Sequence, residues 1–185
     1  MTKLIAEIGW NHMGDMDLAK RMIESASKSG ADIVKFQTWF EKNLTKGPWD
    51  LDGRRDIYKK AELKENDYVK LIKCCNDNNI EFCTSIFNIN DIDLLKEYKI
   101  KIIKIPSHEI YNYDLIEKTL NTFNFTIIST GASLWSEILE LKKILINKDS
   151  KYSVLHCVSS YPCPIDKTNF QRFFKLKEIF LDVGY

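Results

Sequence analysis

Polar residues recur in this chain where short apolar runs come to an end. Leu4–Ile8 contains Glu7, Asp32–Gln37 contains Lys35 and Gln37, and Glu81–Ser85 finishes on Thr84 and Ser85. Ile102–Ile105 carries Lys104 and leads into Ser107 and Glu109, Thr126–Ser129 ends on Ser129, and Tyr152–Cys157 carries His156 with Ser159 just beyond. Successive residues of a strand face opposite ways, so Lys35 and Gln37 share one face while Val34 and Phe36 share the other. Lys104 likewise lies with Ile102, opposite Ile103 and Ile105. A lysine within a covered strand is costly unless a carboxylate or an anionic ligand answers its charge. Two lysines, two glutamates and several hydroxyls at strand ends suit a small substrate carrying phosphate and carboxylate groups. Plainer roles exist for each residue singly. Lys35 with Glu7 could be a structural ion pair, and Ser85, Ser129 and Ser159 could be turn formers. His12 and His108 suit loop or core positions, and His156 and Cys157, adjacent on a strand, face opposite ways and cannot share a metal. Recurrence over six strands is what carries the chemical reading.

Between these runs lie amphipathic stretches. Asp15–Ser29 places Leu18, Met22, Ile23 and Ala26 on one face, with Gly30 as a stop. Further helices are expected over Lys64–Asn78, Asn90–Tyr98, Asn112–Thr122, Leu134–Ile146 and Phe170–Phe180, and Thr38–Ala61 reads as a long loop with a helical turn near Arg55–Lys60. Strands alternating with helices imply an α/β fold with a parallel sheet buried on both faces, and such folds bind ligands at the C-terminal ends of their strands. Neither a G-x-G-x-x-G nor a Walker A loop is present, which weighs against a doubly wound nucleotide-binding sheet. A closed barrel needs about 250 residues. Six strands are complete and a seventh begins before Tyr185, so residues 1–185 are expected to form a single partial (β/α)8 TIM barrel, truncated after about six βα units.

The 185 residues are 44% hydrophobic and 29% charged with a net charge of +1, ordinary for a globular domain and without a field to attract nucleic acid or an anionic membrane. An anionic ligand must then be held by local geometry. The apolar run in MTKLIAEIG is too short for the core of a signal peptide, and no apolar stretch approaches membrane-spanning length. Five cysteines without a C-x-x-C pair read as free thiols in a reducing cytoplasm.

Residues 6–39, AEIGWNHMGDMDLAKRMIESASKSGADIVKFQTW, resemble the opening of bacterial sialic acid synthases, the N-acetylneuraminate synthase family with its legionaminate and pseudaminate relatives. IEFCTSIF at 80–87, IKIPSHE at 103–109, ISTG at 128–131 and LHCVSSYPCP at 155–164 continue the resemblance in order, and LDVGY at 181–185 is similar to the lead into a Ser-Asp-His motif. The resemblance implies condensation of phosphoenolpyruvate with an N-acylated hexosamine of the N-acetylmannosamine type, giving a nine-carbon 2-keto sugar acid and phosphate. It implies a (β/α)8 barrel followed by an antifreeze-like domain, neither that domain nor the last barrel strands lying in these residues, and a homodimer in the full-length protein. Carried over motif by motif, Lys35, Ser85, Lys104, Ser107, Ser129 and Ser159 correspond to positions that hold phosphoenolpyruvate. Gln37 joins them as a substrate-facing residue of the second strand. Glu7, Glu109 and Tyr161 correspond to positions near the metal or the sugar, with Glu7 and Glu109 as candidates for proton transfer.

The family's divalent metal, manganese or magnesium, would polarise the open-chain sugar aldehyde. Its two histidines are expected beyond Tyr185, and His12, His108 and His156 match neither, so no metal ligand is assigned. Ile86 stands where a proline is usual, His108 where a glycine is common, and Ser159 where some relatives have asparagine. Arg54, Arg55 and Trp49 fall in a loop expected to face the substrate. Two other readings remain: a Schiff-base aldolase using Lys104 or Lys35 as amine nucleophile, and a truncated barrel that binds anions without catalysis.

Overall fold

The computed structural model describes residues 2–146 and 151–185. These residues form two compact units, one running to Ser85 and including Glu97–Ile100, the other built from Ile86–Lys96 and Lys101–Tyr185. In the first unit, β1 (Ile5–Gly9), β2 (Ile33–Gln37) and β3 (Glu81–Ser85) pair in parallel in chain order. The central strand β2 is buried over its first four residues, which is why it reads as an apolar run broken by one lysine. Register sets Glu7 beside Lys35, Lys35 beside Cys83 and Gln37 beside Ser85. Pairing slips by a residue between Glu7 and Gly9, and Gly9 turns the chain with φ +57°, a conformation that favours glycine.

Helix α1 (Met16–Lys28) starts where the Asp15 carboxylate accepts from the backbone N–H groups of Asp17 and Leu18, and it stops at Ser29 before Gly30 at φ +86°. Ala19 and Ile23 are fully buried on its inner face, while Leu18, Met22 and Ala26 are half-buried. The segment from Thr38 to Ala61, expected to be mostly loop, holds short 3-10 turns at Glu41–Asn43 and Pro48–Asp50 and an eight-residue helix, α2 (Arg54–Ala61). Two contacts account for the extra order. Arg55 on α2 engages Asp50, Glu41 and the carbonyls of Leu44 and Thr45, and the Trp39 indole N–H donates to the Tyr58 carbonyl at 3.1 Å. Helix α3 (Glu65–Asp77) buries Tyr68, Leu71 and Cys75 and leads into β3.

In the second unit, β4 (Ile102–Ile105), β5 (Phe125–Ser129), β6 (Lys151–Leu155) and the short β7 (Val183–Gly184) are again parallel and in chain order. Lys104 stands beside Ile127, and Ser129 beside Leu155. Helices α4 (Asp91–Glu97), α5 (Tyr113–Thr122), α6 (Trp135–Leu145) and α7 (Phe170–Ile179) bury Ile92, Leu115, Ile138, Leu141 and Leu176. The sixth strand ends two residues earlier than its sequence suggests. The Leu155 carbonyl accepts both the N–H and the hydroxyl of Thr130, and the buried His156 ring turns to the Thr168 carbonyl at 2.7 Å. His156 and Cys157 are therefore loop residues, and strand alternation does not govern where they face. Among the described residues no helix is long and apolar enough to cross a membrane.

Candidate active site

The polar ends of β1, β2 and β3 converge on Lys35. Its residue surface is only 5% exposed, and its ammonium forms an ion pair with the Glu7 carboxylate and donates to Ser85 Oγ at 3.2 Å. Glu7 itself is half-exposed, so the pair is dry on the lysine side and wet on the carboxylate side. Gly9 lies between Glu7 and Gln37: a Cβ added there would stand 3.0 Å from Glu7 Oε1 and 3.8 Å from Gln37 Nε2. The first unit thus brings Glu7, Lys35, Gln37 and Ser85 together through strand register.

A buried hydroxyl chain supports this corner, and of its members only Thr84 stands out in the sequence as a polar strand end. The Thr38 N–H donates to the Ser85 carbonyl at 2.8 Å, and Thr38 Oγ1 lies 2.9 Å from both Tyr68 Oη and Thr84 Oγ1. His12 is buried nearby against Phe36, where Nδ1 accepts the Gly14 N–H at 3.1 Å and Nε2 has no partner among the described residues. Burial pushes the His12 imidazole below its usual range, and attraction to Asp67 opposes that only in part.

In the second unit the polar residues follow β4, β5 and β6. Ser107 Oγ accepts the Gly131 N–H at 3.1 Å. A Cβ on Gly131 would lie 2.8 Å from Ser159 Oγ and 2.9 Å from Ser107 Oγ, so both hydroxyls crowd onto this glycine. Ser129 is buried and its hydroxyl has no hydrogen-bond partner among the described residues. Lys104 is half-buried on β4. Glu109 Oε2 accepts from Asn112 Nδ2 at 2.9 Å, with His108 Nε2 3.8 Å from Oε1 and the His108 ring stacked on Phe87. Tyr161 stands apart, 99% exposed. One contributor was hidden from the sequence: Arg172 on α7 donates through Nη2 to the carbonyls of Thr130 and Ser133 and to Ser133 Oγ, pinning the turn that carries Gly131.

Chemically, one unit offers an ammonium already paired with a carboxylate, and the other offers serine hydroxyls with protons to donate. Both suit anionic oxygens. Among the described residues no group of three or more His, Cys, Asp and Glu is placed to hold a metal ion. The described residues do not by themselves fit a metal.

Parallel strands with helices between them and polar side chains at the strand ends define a barrel-type α/β protein. The NeuB family model matches residues 22–185, and the chain belongs to the NeuB family. It is 38% identical to the N,N'-diacetyllegionaminic acid synthase of Campylobacter jejuni, over all of this chain and 60% of that protein. It is 31% identical to the pseudaminic acid synthase of Helicobacter pylori, over 96% of this chain and 56% of that one. Its fold matches the crystal structure of the N-acetylneuraminic acid synthetase from Leptospira borgpetersenii with a TM-score of 0.88 and 32% identity, over 98% of this chain and 63% of that one. The fold is accordingly that of a (β/α)8 TIM barrel of the sialic acid synthase kind, of which these residues supply six βα units and a seventh strand. The chain spans about 60% of the length of the curated relatives it matches.

Proposed function

We propose that this protein condenses phosphoenolpyruvate with an N-acylated hexosamine of the N-acetylmannosamine type, forming a nine-carbon 2-keto sugar acid and releasing phosphate. The buried Lys35, paired with Glu7 and bonded to Ser85, carries this reading, because an ammonium so placed is prepared to receive an anion. In the proposal Lys35, Ser85, Lys104, Ser107, Ser129 and Ser159 hold phosphoenolpyruvate, while Gln37 and the exposed Tyr161 meet the acceptor sugar. The methylene carbon of phosphoenolpyruvate attacks the open-chain aldehyde, making the new carbon–carbon bond, and the aldehyde oxygen takes up a proton. Water then adds at the former enol carbon and loses a proton, and the tetrahedral intermediate expels phosphate. Glu109, engaged by Asn112 through one oxygen, is the proposed proton-transfer group, and Glu7 the partner that sets Lys35.

A divalent metal, a homodimeric full-length protein and a cytoplasmic setting complete the proposal, the last in keeping with five free cysteines. The test is phosphate release from the chain supplied with phosphoenolpyruvate, N-acetylmannosamine and manganese. Release only when both substrates are present is expected. A borohydride-trapped pyruvate adduct on Lys35 or Lys104 would replace this reading with a Schiff-base aldolase. Phosphoenolpyruvate binding without turnover would make the chain an anion-binding barrel.

A further inference from the structure

Gly131 is glycine for a reason other than backbone freedom. It is absent from the residues of positive φ, so an L-residue could adopt its conformation. What it lacks is room. A Cβ at this position would lie 2.8 Å from Ser159 Oγ, 2.9 Å from Ser107 Oγ and 3.2 Å from Cys157 Cβ, closer to the two oxygens than real Cβ atoms come. The residue is buried, so the added atom could not swing away into solvent.

The same glycine also fixes which way one hydroxyl points. Its N–H donates to Ser107 Oγ, which uses an acceptor position of that oxygen and leaves the Ser107 proton to be given elsewhere. Neighbouring contacts hold the turn in place: Thr130 is tied to the Leu155 carbonyl by its N–H at 2.9 Å and its hydroxyl at 2.8 Å, and Arg172 grips the carbonyls of Thr130 and Ser133. We infer that Gly131 is a positioning residue for anion binding, its bare Cα admitting the Ser107 and Ser159 hydroxyls and its N–H turning Ser107 into an obligate donor to the bound anion. This deepens the proposed function and rests on it.

The experiment is a double-mutant cycle of G131A and S107A, read by calorimetric titration of the chain with phosphoenolpyruvate and with inorganic phosphate. A hydrogen bond to a charged group is lost in each single variant, so each should weaken phosphoenolpyruvate at least about tenfold. The double variant should be no weaker than G131A alone, because G131A already displaces the hydroxyl that S107A removes. Melting by circular dichroism reports whether G131A folds. Should it fail, G131A/S159G, which removes the nearest clash, is compared with S159G alone. Additive losses, or a G131A affinity within about twofold of the parent, would overturn the inference. The variant K35M keeps the two questions apart. If the parent binds phosphoenolpyruvate and K35M does not, while G131A binds normally, only the role of Gly131 falls. If the parent binds neither ligand, the functional reading falls and this inference with it.

Discussion

Replacing Lys35 with methionine separates an anion anchor from a structural ion pair. Lys35 is almost wholly buried, yet its carboxylate partner is half-exposed, so the charge is dry on one side only. Methionine fills much of the volume of the lysine stem without its charge, and removing one partner of an ion pair is costly chiefly when the other is left buried, which the half-exposed Glu7 is not. Against that stands the lost charge-assisted bond to Ser85 Oγ, worth about 1.5–3 kcal/mol before the cost of burying the ammonium is set against it. Glu7 can turn to water when its partner is removed. The stability change should therefore lie within about 1 kcal/mol of zero, a shift of roughly 2–4 °C in melting temperature for a chain of this size. Ligand binding should respond far more. A charge-assisted contact contributes about 1.5–3 kcal/mol, so phosphoenolpyruvate should bind roughly 10- to 150-fold more weakly. Thermal melting and calorimetric titration of the same preparation provide both numbers. A K35M protein that loses many degrees of melting temperature and binds phosphoenolpyruvate like the parent would refute the argument, leaving Lys35 as a strut between strands.

Three further outcomes follow from individual groups. Burial keeps the folded His12 imidazole below the usual 6.5, so the unfolded chain binds the extra proton first and stability falls as pH drops below 6.5 toward the folded value. Melting temperature followed from pH 7.5 to pH 5 should show this slope in the parent and a flatter one in H12N. Cys75 is pushed up to about 12 by burial, so the unfolded thiol ionises first and stability declines as pH rises from 9.0 toward that value. C75A should lose this part of the alkaline slope, and Cys75 should resist iodoacetamide in the native protein while Cys163 reacts, as peptide mass mapping would show. Arg55 ties together Glu41, Asp50 and the carbonyls of Leu44 and Thr45. R55A should therefore speed tryptic cleavage after Lys42 and Lys46 several-fold without shifting the main melting transition, and unchanged cleavage would show that the segment is held by other contacts.

Strand and helix placement could be read from the chain because period and burial agree in its regular parts. Glu81–Ser85 and Ile102–Ile105 are the observed strands to the residue, and α1 lies inside the expected Asp15–Ser29 span with both flanking residues acting as caps. The segment from Thr38 to Ala61 was less legible. Its order comes from Arg55 reaching residues 5 to 14 positions away, and hydrophobic period does not report such contacts. The same limit applies at the site. Strand alternation placed Lys35 and Gln37 on one face, and register then brought Glu7 and Ser85 to the lysine. The roles of Thr38, Tyr68 and Arg172 depend on side chains meeting across distant segments, and none of them ends an apolar run. Alternation gives His156 a strand face, but β6 ends at Leu155 and the ring meets the Thr168 carbonyl from a loop.

A net charge of +1 cannot concentrate anions around the molecule, so selectivity for an anion must come from how a few groups are held. Under the proposed function, the two units answer this requirement by different physical means. In the first, the strand ladder carries a lysine into a dry position and supplies a carboxylate that tolerates water. The ammonium is thereby balanced without a ligand, and one arm of the pair can still move into solvent when an anion arrives. In the second, the Gly131 N–H occupies an acceptor position of the Ser107 hydroxyl, and the buried Ser129 hydroxyl has no partner among the described residues. Charge contributes strength at short range, while the oriented hydroxyls contribute shape. Neutralising the lysine should accordingly weaken phosphate and phosphoenolpyruvate alike. Removing a serine hydroxyl should weaken the larger ligand more than phosphate, because orienting several oxygens at once is what those donors supply. Equal losses for both ligands in S129A and K35M, measured by the same titration, would show that the hydroxyls act only as generic polarity.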